Sequence, residues 1–239
     1  MPKVVKWFGD VLEVLMGPKL PLMKVLEASY INLYIKKIRL QGNISGMDFQ
    51  PGYAVAIRVS DTEYRNYTVA FNDVEKGIVE IIVHLHNDAP GTRFMNDLSI
   101  GREIRMSMPR GKKMYNTLQT THILFGDETS LGLAYAFQHI LFIAQPSFHF
   151  YFELDEVNEK IPHLLGLKNY TIVPKNEIFQ NESLLEKMEI FQLENWQKST
   201  FILTGNARSM QMIRSNIQKK KIEGKILAQA YWADGKIGL

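Results

Sequence analysis

The hydrophobic rhythm of this chain changes once, around the Pro-Arg-Gly of residues 109–111, and that change constrains the architecture more than any other feature. Upstream, apolar residues come in short branched runs: LYIKKIRLQ at 33–41, YAVAIRV at 53–59, NYTVAF at 66–71, GIVEIIVHLH at 77–86 and EIRMSM at 103–108. Polar turns separate them. Short strands with few helices predict a closed antiparallel barrel. Pro90-Gly91 reads as a turn, and 109–111 as the start of a linker. Downstream, strands alternate with helices. The strands are HILFG (122–126), HFYFEL (149–154), YTIVP (170–174), FILTG (201–205) and ILAQAYW (226–232). The helices are a long apolar one starting near Thr129 or Ser130, a charged one at 181–191, and NARSMQMIRSNIQKK with Met210, Ile213 and Ile217 on one side. Such alternation predicts a mostly parallel sheet covered by helices. The expected domains are therefore 1–112 and 113–239. Ligands of such sheets bind outside the carboxyl ends of the strands, which directs attention to 126–130 and 205–208.

Several chemistries drop out at once. The chain has no cysteine, so disulfides, thiolate metal sites and cysteine nucleophiles are excluded. None of its six histidines forms an HExxH pair, and no metal site is expected. The formal charge of +3 tolerates an anionic ligand but does not identify nucleic acid, and the run Lys219, Lys220, Lys221 lacks a reader motif around it. No uninterrupted apolar run reaches membrane-spanning length. Val4, Val5, Phe8, Leu12 and Leu15 follow a helical period until Gly17, Pro18 and Pro21 interrupt it. That start is expected to be a helix packed on the body of the protein. Asp10 and Glu13 weaken a membrane-surface role, and no export signal is recognisable, so a cytoplasmic monomer is expected, with peripheral membrane contact left open.

The stretch DTEYRNYTVAF, residues 61–71, concentrates Arg65, Tyr67 and Thr68 between two apolar runs. It reads either as an exposed strand edge or as a surface for a planar, phosphorylated ligand. Downstream, Gly91 and Thr92 sit in HLHNDAPGTRF, where a missing side chain lets backbone donors approach an anion; a plain reverse turn is the alternative. GDET at 126–129 stands between a strand and a helix, where Asp127 and Glu128 argue against a dense phosphate cradle and either shape a ligand site or cap the helix. It is not a GxGxxG dinucleotide fingerprint.

Taken in order, RNYT (65–68), VHLHNDAPGTRF (83–94), GDETSLG (126–132), LTGNARSMQMIRSNI (203–217) and AYW (230–232) resemble the siderophore-interacting family of FAD-dependent ferric reductases, within the ferredoxin-reductase-like flavoproteins. The resemblance implies an N-terminal antiparallel Greek-key β-barrel that binds FAD, and a C-terminal α/β domain with a parallel sheet for NADH or NADPH. It assigns Arg65 to the FAD pyrophosphate, Tyr67 to the flavin or ribityl chain, Thr68 to the N5 edge, and Gly91 and Thr92 to the phosphate turn. His84 is expected near the flavin or adenine, Asp127 and Thr129 near the coenzyme, and Tyr231 or Trp232 over the flavin. No acid–base catalytic residue is implied. The chain departs from the family at Asn206, on the nicotinamide side of the implied coenzyme site, where glutamate is usual, and at Ala233 and Asp234, where a basic residue is usual and for which Lys219, Lys220, Lys221, Lys225 and Lys236 are the candidate compensation. The order Pro90-Gly91 is also reversed. The implied reaction is electron transfer from NAD(P)H through FAD to a ferric siderophore, releasing ferrous iron. A flavoreductase serving a protein partner and a noncatalytic siderophore-binding protein are the alternatives.

Overall fold

The computed structural model describes residues 20–86, 88–115, 121–144, 147–175, 177–191 and 196–235. The helix expected at the start of the chain lies outside the described residues. The chain divides into two compact units between Lys113 and Met114.

The first unit is a curled antiparallel sheet. Its strands are β1 (Leu22–Asn32), β2 (Ile35–Gly42), β3 (Tyr53–Arg58), β4 (Tyr64–Asp73), β5 (Ile78–His84), β6 (Glu103–Arg105) and β7 (Arg110–Gly111), in the order β6-β1-β2-β5-β4-β3-β7. Met106, one residue past β6, bridges Ile57 of β3, and Ser107 N–H donates to the Ala56 carbonyl at 2.9 Å. The two ends of the sheet thus approach one another. Period-2 alternation sends Met23, Val25, Ile38, Leu40, Val55 and Ile57 into the core. Helix α1 (Pro90–Asp97) adds the fully buried Met95 to that core.

Three sequence expectations change here. Leu22–Asn32 is a strand that the helical reading of the start did not anticipate. Pro90-Gly91 opens α1 instead of making a reverse turn, because proline at the first helical position gives up an N–H that has no partner there anyway. Arg110-Gly111 pairs with Tyr53-Ala54, so the expected linker is the last strand of the sheet.

The second unit runs β8 (Thr121–Gly126), α2 (Leu131–Ala144), β9 (Ser147–Leu154), α3 (Ile161–Leu164), β10 (Tyr170–Pro174), α4 (Glu182–Glu186), β11 (Thr200–Asn206), α5 (Ala207–Lys219) and β12 (Lys225–Trp232). The charged helix expected at 181–191 breaks into α4 and a separate turn at Glu189–Phe191. The strands lie in the order β10-β9-β8-β11-β12, all parallel. Met210, Ile213 and Ile217 of α5 pack on Phe201 and Leu203 as the helical period predicts. Chain order reverses between β8 and β11, and that switch point brings Gly126 and Gly205-Asn206 to the same end of the sheet.

A buried lysine joins the sheet of the first unit to its helix. Lys36 shares a face of β2 with Ile38 and Leu40, and it is 2 % exposed. Its ammonium donates to the carbonyls of Met95, Asn96 and Leu98 at 2.9 Å each, which satisfies the C-terminal end of α1. Burial pulls the Lys36 pKa down, and the charge of Asp97 pushes it back up. Lys36→Met keeps the apolar stem but strands those carbonyls. It should lower stability by about 2–4 kcal/mol in urea unfolding; a change under about 0.5 kcal/mol would show that α1 does not depend on this contact.

Candidate functional site

In the first unit β4 presents Arg65 and Tyr67 on one face and Thr68 on the other, as strand alternation requires. Arg65 and Tyr67 pair across the ladder with Ile57 and Val55, which turns them toward the core side. The Arg65 guanidinium donates to the Tyr64 carbonyl at 2.9 Å and to the Glu63 carboxylate at 3.1 Å. Its side chain remains 23 % exposed, so part of the fork is available to a ligand. Burial pushes the Tyr67 phenol above its ordinary pKa, with the Arg65 charge working the other way. Tyr67 therefore stays neutral, and a donor, at working pH.

The start of α1 meets these two residues. A Cβ at Gly91 would stand 3.1 Å from Arg65 Cγ and 3.1 Å from the Tyr67 hydroxyl, so a side chain would fill the gap between helix and strand. Ala89 at the N-cap gives no side-chain cap. The N–H groups of Gly91 and Thr92 lie in the first turn, where a helix has no internal acceptor for them. The Thr92 hydroxyl donates to the His86 carbonyl at 2.8 Å. His84 ends β5, with its ring centroid 5.0 Å from that of His86. An open helix start beside a guanidinium is a site for an anion, and the phosphates of a dinucleotide suit it.

In the second unit the switch point is organised by Asp127, which is 1 % exposed. One carboxylate oxygen accepts from Thr129 N–H at 2.8 Å and from the Thr129 hydroxyl. The other accepts from Asn206 N–H at 2.9 Å and from the Trp232 indole N–H at 2.6 Å. Burial raises the Asp127 pKa, and the bonds from Thr129 and Trp232 oppose that rise. A single side chain thus ties together the ends of β8, β11 and β12. Asn206 caps α5, its side-chain oxygen accepting from Arg208 N–H at 2.8 Å and Ser209 N–H at 3.2 Å.

Beside this knot, Gln180, Asn181, Arg208, Trp232, Glu177 and Asp234 line a cleft of about 670 Å³. Sequence reasoning directed attention to 205–208, which includes Arg208, and to Trp232, but missed the segment after β10 that forms the opposite wall. Lys175 was missed as well. It bonds Glu128 at 2.7 Å and Asp155 at 2.9 Å. Burial presses its pKa down, but Glu128 and then Asp155 outweigh that and leave it raised. No local pattern marked these residues, because the strand order is what brings them together. Tyr231 and Trp232 close β12, and Trp232 pairs with Asn206 after a register shift.

Residues 21–115 match the family model for the oxidoreductase FAD-binding domain. The fold is that of a siderophore-interacting protein from Acinetobacter baumannii, at 20% identity over 91% of this chain and 92% of that one, with a TM-score of 0.71. It is equally that of a siderophore-interacting protein from Aeromonas hydrophila, at 20% identity over 91% and 93%, with a TM-score of 0.71. Phthalate dioxygenase reductase matches at 16% identity over 92% of this chain and 71% of that one, also with a TM-score of 0.71. No curated protein matches the sequence. The resemblance drawn from the motifs is borne out for the fold and for an FAD-binding domain match over 21–115.

The Asp127 knot leaves no room at Gly205, which has φ +92° and whose added Cβ would stand 2.6 Å from the Asp127 carboxylate. Gly205→Ala should cost about 2–4 kcal/mol through backbone strain and displacement of Asp127 together. The loss should appear in calorimetric unfolding, and a melting temperature equal to the parent's would refute the close packing described.

Proposed function

We propose that this chain, a ferredoxin-reductase-like flavoprotein with an FAD-binding first unit, passes electrons from NAD(P)H through FAD to a ferric siderophore and releases ferrous iron. The observation that carries the reading is the open start of α1, with Gly91 and Thr92, set against Arg65 and Tyr67. A diphosphate fits that arrangement: Arg65 would grip it through its fork while the first-turn N–H groups meet the remaining oxygens. Gly91 keeps the approach clear. Tyr67 packs on the core and would offer its phenol to the ribityl chain. Thr68, on the other face of β4, is assigned to the ring end of the flavin, as Arg65 is to the phosphate end. The strand order β2-β5-β4-β3 supports a Greek-key reading of the barrel.

Bound FAD supplies the conversion between a two-electron donor and a one-electron acceptor. The residues of the chain bind and orient. In the second unit the switch-point crevice and the neighbouring cleft suit a pyridine nucleotide, with Arg208 as phosphate partner and Trp232 as a flat apolar wall. Asp127 and Thr129 would act by shaping that region, since their bonds to one another and to β11 and β12 occupy the carboxylate. A protein with this fold is described as transferring electrons from pyridine nucleotides, which supports the donor. The fold shared with two siderophore-interacting proteins supports the acceptor.

Protein supplied with FAD and kept free of oxygen should bleach on addition of NADH or NADPH. Subsequent ferric chelate should restore the flavin colour and give about two ferrous ions per coenzyme oxidised, read with a ferrous-specific dye. Bleaching without iron reduction would leave a flavoreductase with another acceptor, and failure to bleach would sink the assignment of donor. Arg65→Ala should weaken FAD binding about tenfold or more, the cost of a lost charge-assisted contact. Unchanged affinity in a fluorescence titration would remove Arg65 from the site.

A further inference from the structure

The cleft of the second unit carries an uneven set of charges. Among the described residues that line it, Arg208 is the cation, and Glu177 and Asp234 are the carboxylates. Among the described residues none of the three is engaged in an ion pair. Gln180 and Asn181 add amides to the wall, and Gln180 donates to the Ser209 hydroxyl at 3.3 Å, joining the segment after β10 to the first turn of α5. Trp232 is fixed by its bond to Asp127. A ligand complementary to this lining has an anionic part for the guanidinium, hydroxyl donors for the carboxylates and a planar ring for the indole.

We propose that this cleft selects NADH over NADPH, with Glu177 and Asp234 as the specificity-determining residues. The inference rests on the reading of the second unit as the coenzyme-binding one and deepens it. An adenosine ribose diol donates two hydroxyl hydrogens, and a carboxylate only accepts, so the pair is matched. A 2′-phosphate replaces a donor with a group carrying about −1.5 to −2 charge at neutral pH. Two carboxylates against one guanidinium leave that added charge uncompensated. Both carboxylate residues are solvent-facing, so their substitution does not threaten the core.

The test uses the full chain with ADP-ribose and 2′-phospho-ADP-ribose, which lack nicotinamide and so report binding without flavin or hydride transfer. In calorimetry at low salt, ADP-ribose should bind at least about tenfold more tightly, and added salt should narrow the gap. The E177Q/D234N variant should bring the two ligands to within about threefold, mainly by improving the phosphorylated one. Equal or tighter binding of 2′-phospho-ADP-ribose by the parent overturns the selectivity while leaving the coenzyme site standing. A ratio unchanged in the variant overturns the assignment to Glu177 and Asp234. Binding of neither ligand overturns this inference and the coenzyme reading together.

Discussion

A helix end carries backbone groups that the helix itself cannot satisfy, and the first unit treats the two ends of α1 in opposite ways. At the C-terminal end three carbonyls converge on the Lys36 ammonium, which the sheet delivers from its core face. At the N-terminal end Ala89 offers no cap, and Gly91 and Thr92 stand beside Arg65 and Tyr67. The cation therefore neutralises the negative end of the helix dipole, and no side chain caps the positive end. Burying a lysine without a carboxylate in contact is costly, and the arrangement is stable only because every ammonium hydrogen finds a carbonyl. The position of that uncapped helix start thus follows from the register of β2.

The second unit solves a related problem with the opposite sign. Parallel strands deliver their carboxyl ends to one edge, and the chain order reverses there between β8 and β11. Asp127 is buried at that reversal and accepts from Thr129, Asn206 and Trp232, so the loop after β8, the start of α5 and the end of β12 are held as one piece. Gly205 permits it, having a positive φ and no side chain to displace the carboxylate. The cleft beside this knot is built on it: Arg208 sits on the helix that Asn206 caps, and the Trp232 indole is bonded to Asp127. Asn206, the position that departs from the resembled family, is thereby explained locally as a helix cap.

Much of this was legible in the residues, for identifiable reasons. Branched runs such as GIVEIIVHLH and the spacing of Met210, Ile213 and Ile217 declare their own periodicity, and β5 and α5 appear where that periodicity puts them. Arg65, Tyr67 and Gly91 were marked by type and order, and the structure brings them within contact. What was hidden depends on partners remote in sequence. Leu22–Asn32 is a strand because β2 and β6 flank it, whereas its proximity to an apparently helical start concealed the alternation of Met23 and Val25. Pro90-Gly91 serves a turn or a helix start equally well until Met95 is seen to be buried. Lys36 reads as a surface lysine unless the inward register of Ile38 and Leu40 is counted back to it. Glu177, Gln180 and Asn181 become a wall only because β10 lies at the edge of the sheet and α5 returns beside its following segment.

The central claim is that α1 and Arg65 make the first unit a binder of the phosphate end of FAD. Titration of the flavin-free full chain with FAD and with riboflavin, which has the same ring but no phosphate, tests it most directly. Quenching of flavin fluorescence should show FAD bound at least about a hundredfold more tightly, since the guanidinium and the helix start act only on the diphosphate. Equal affinity for the two flavins, or binding of neither, would contradict the account.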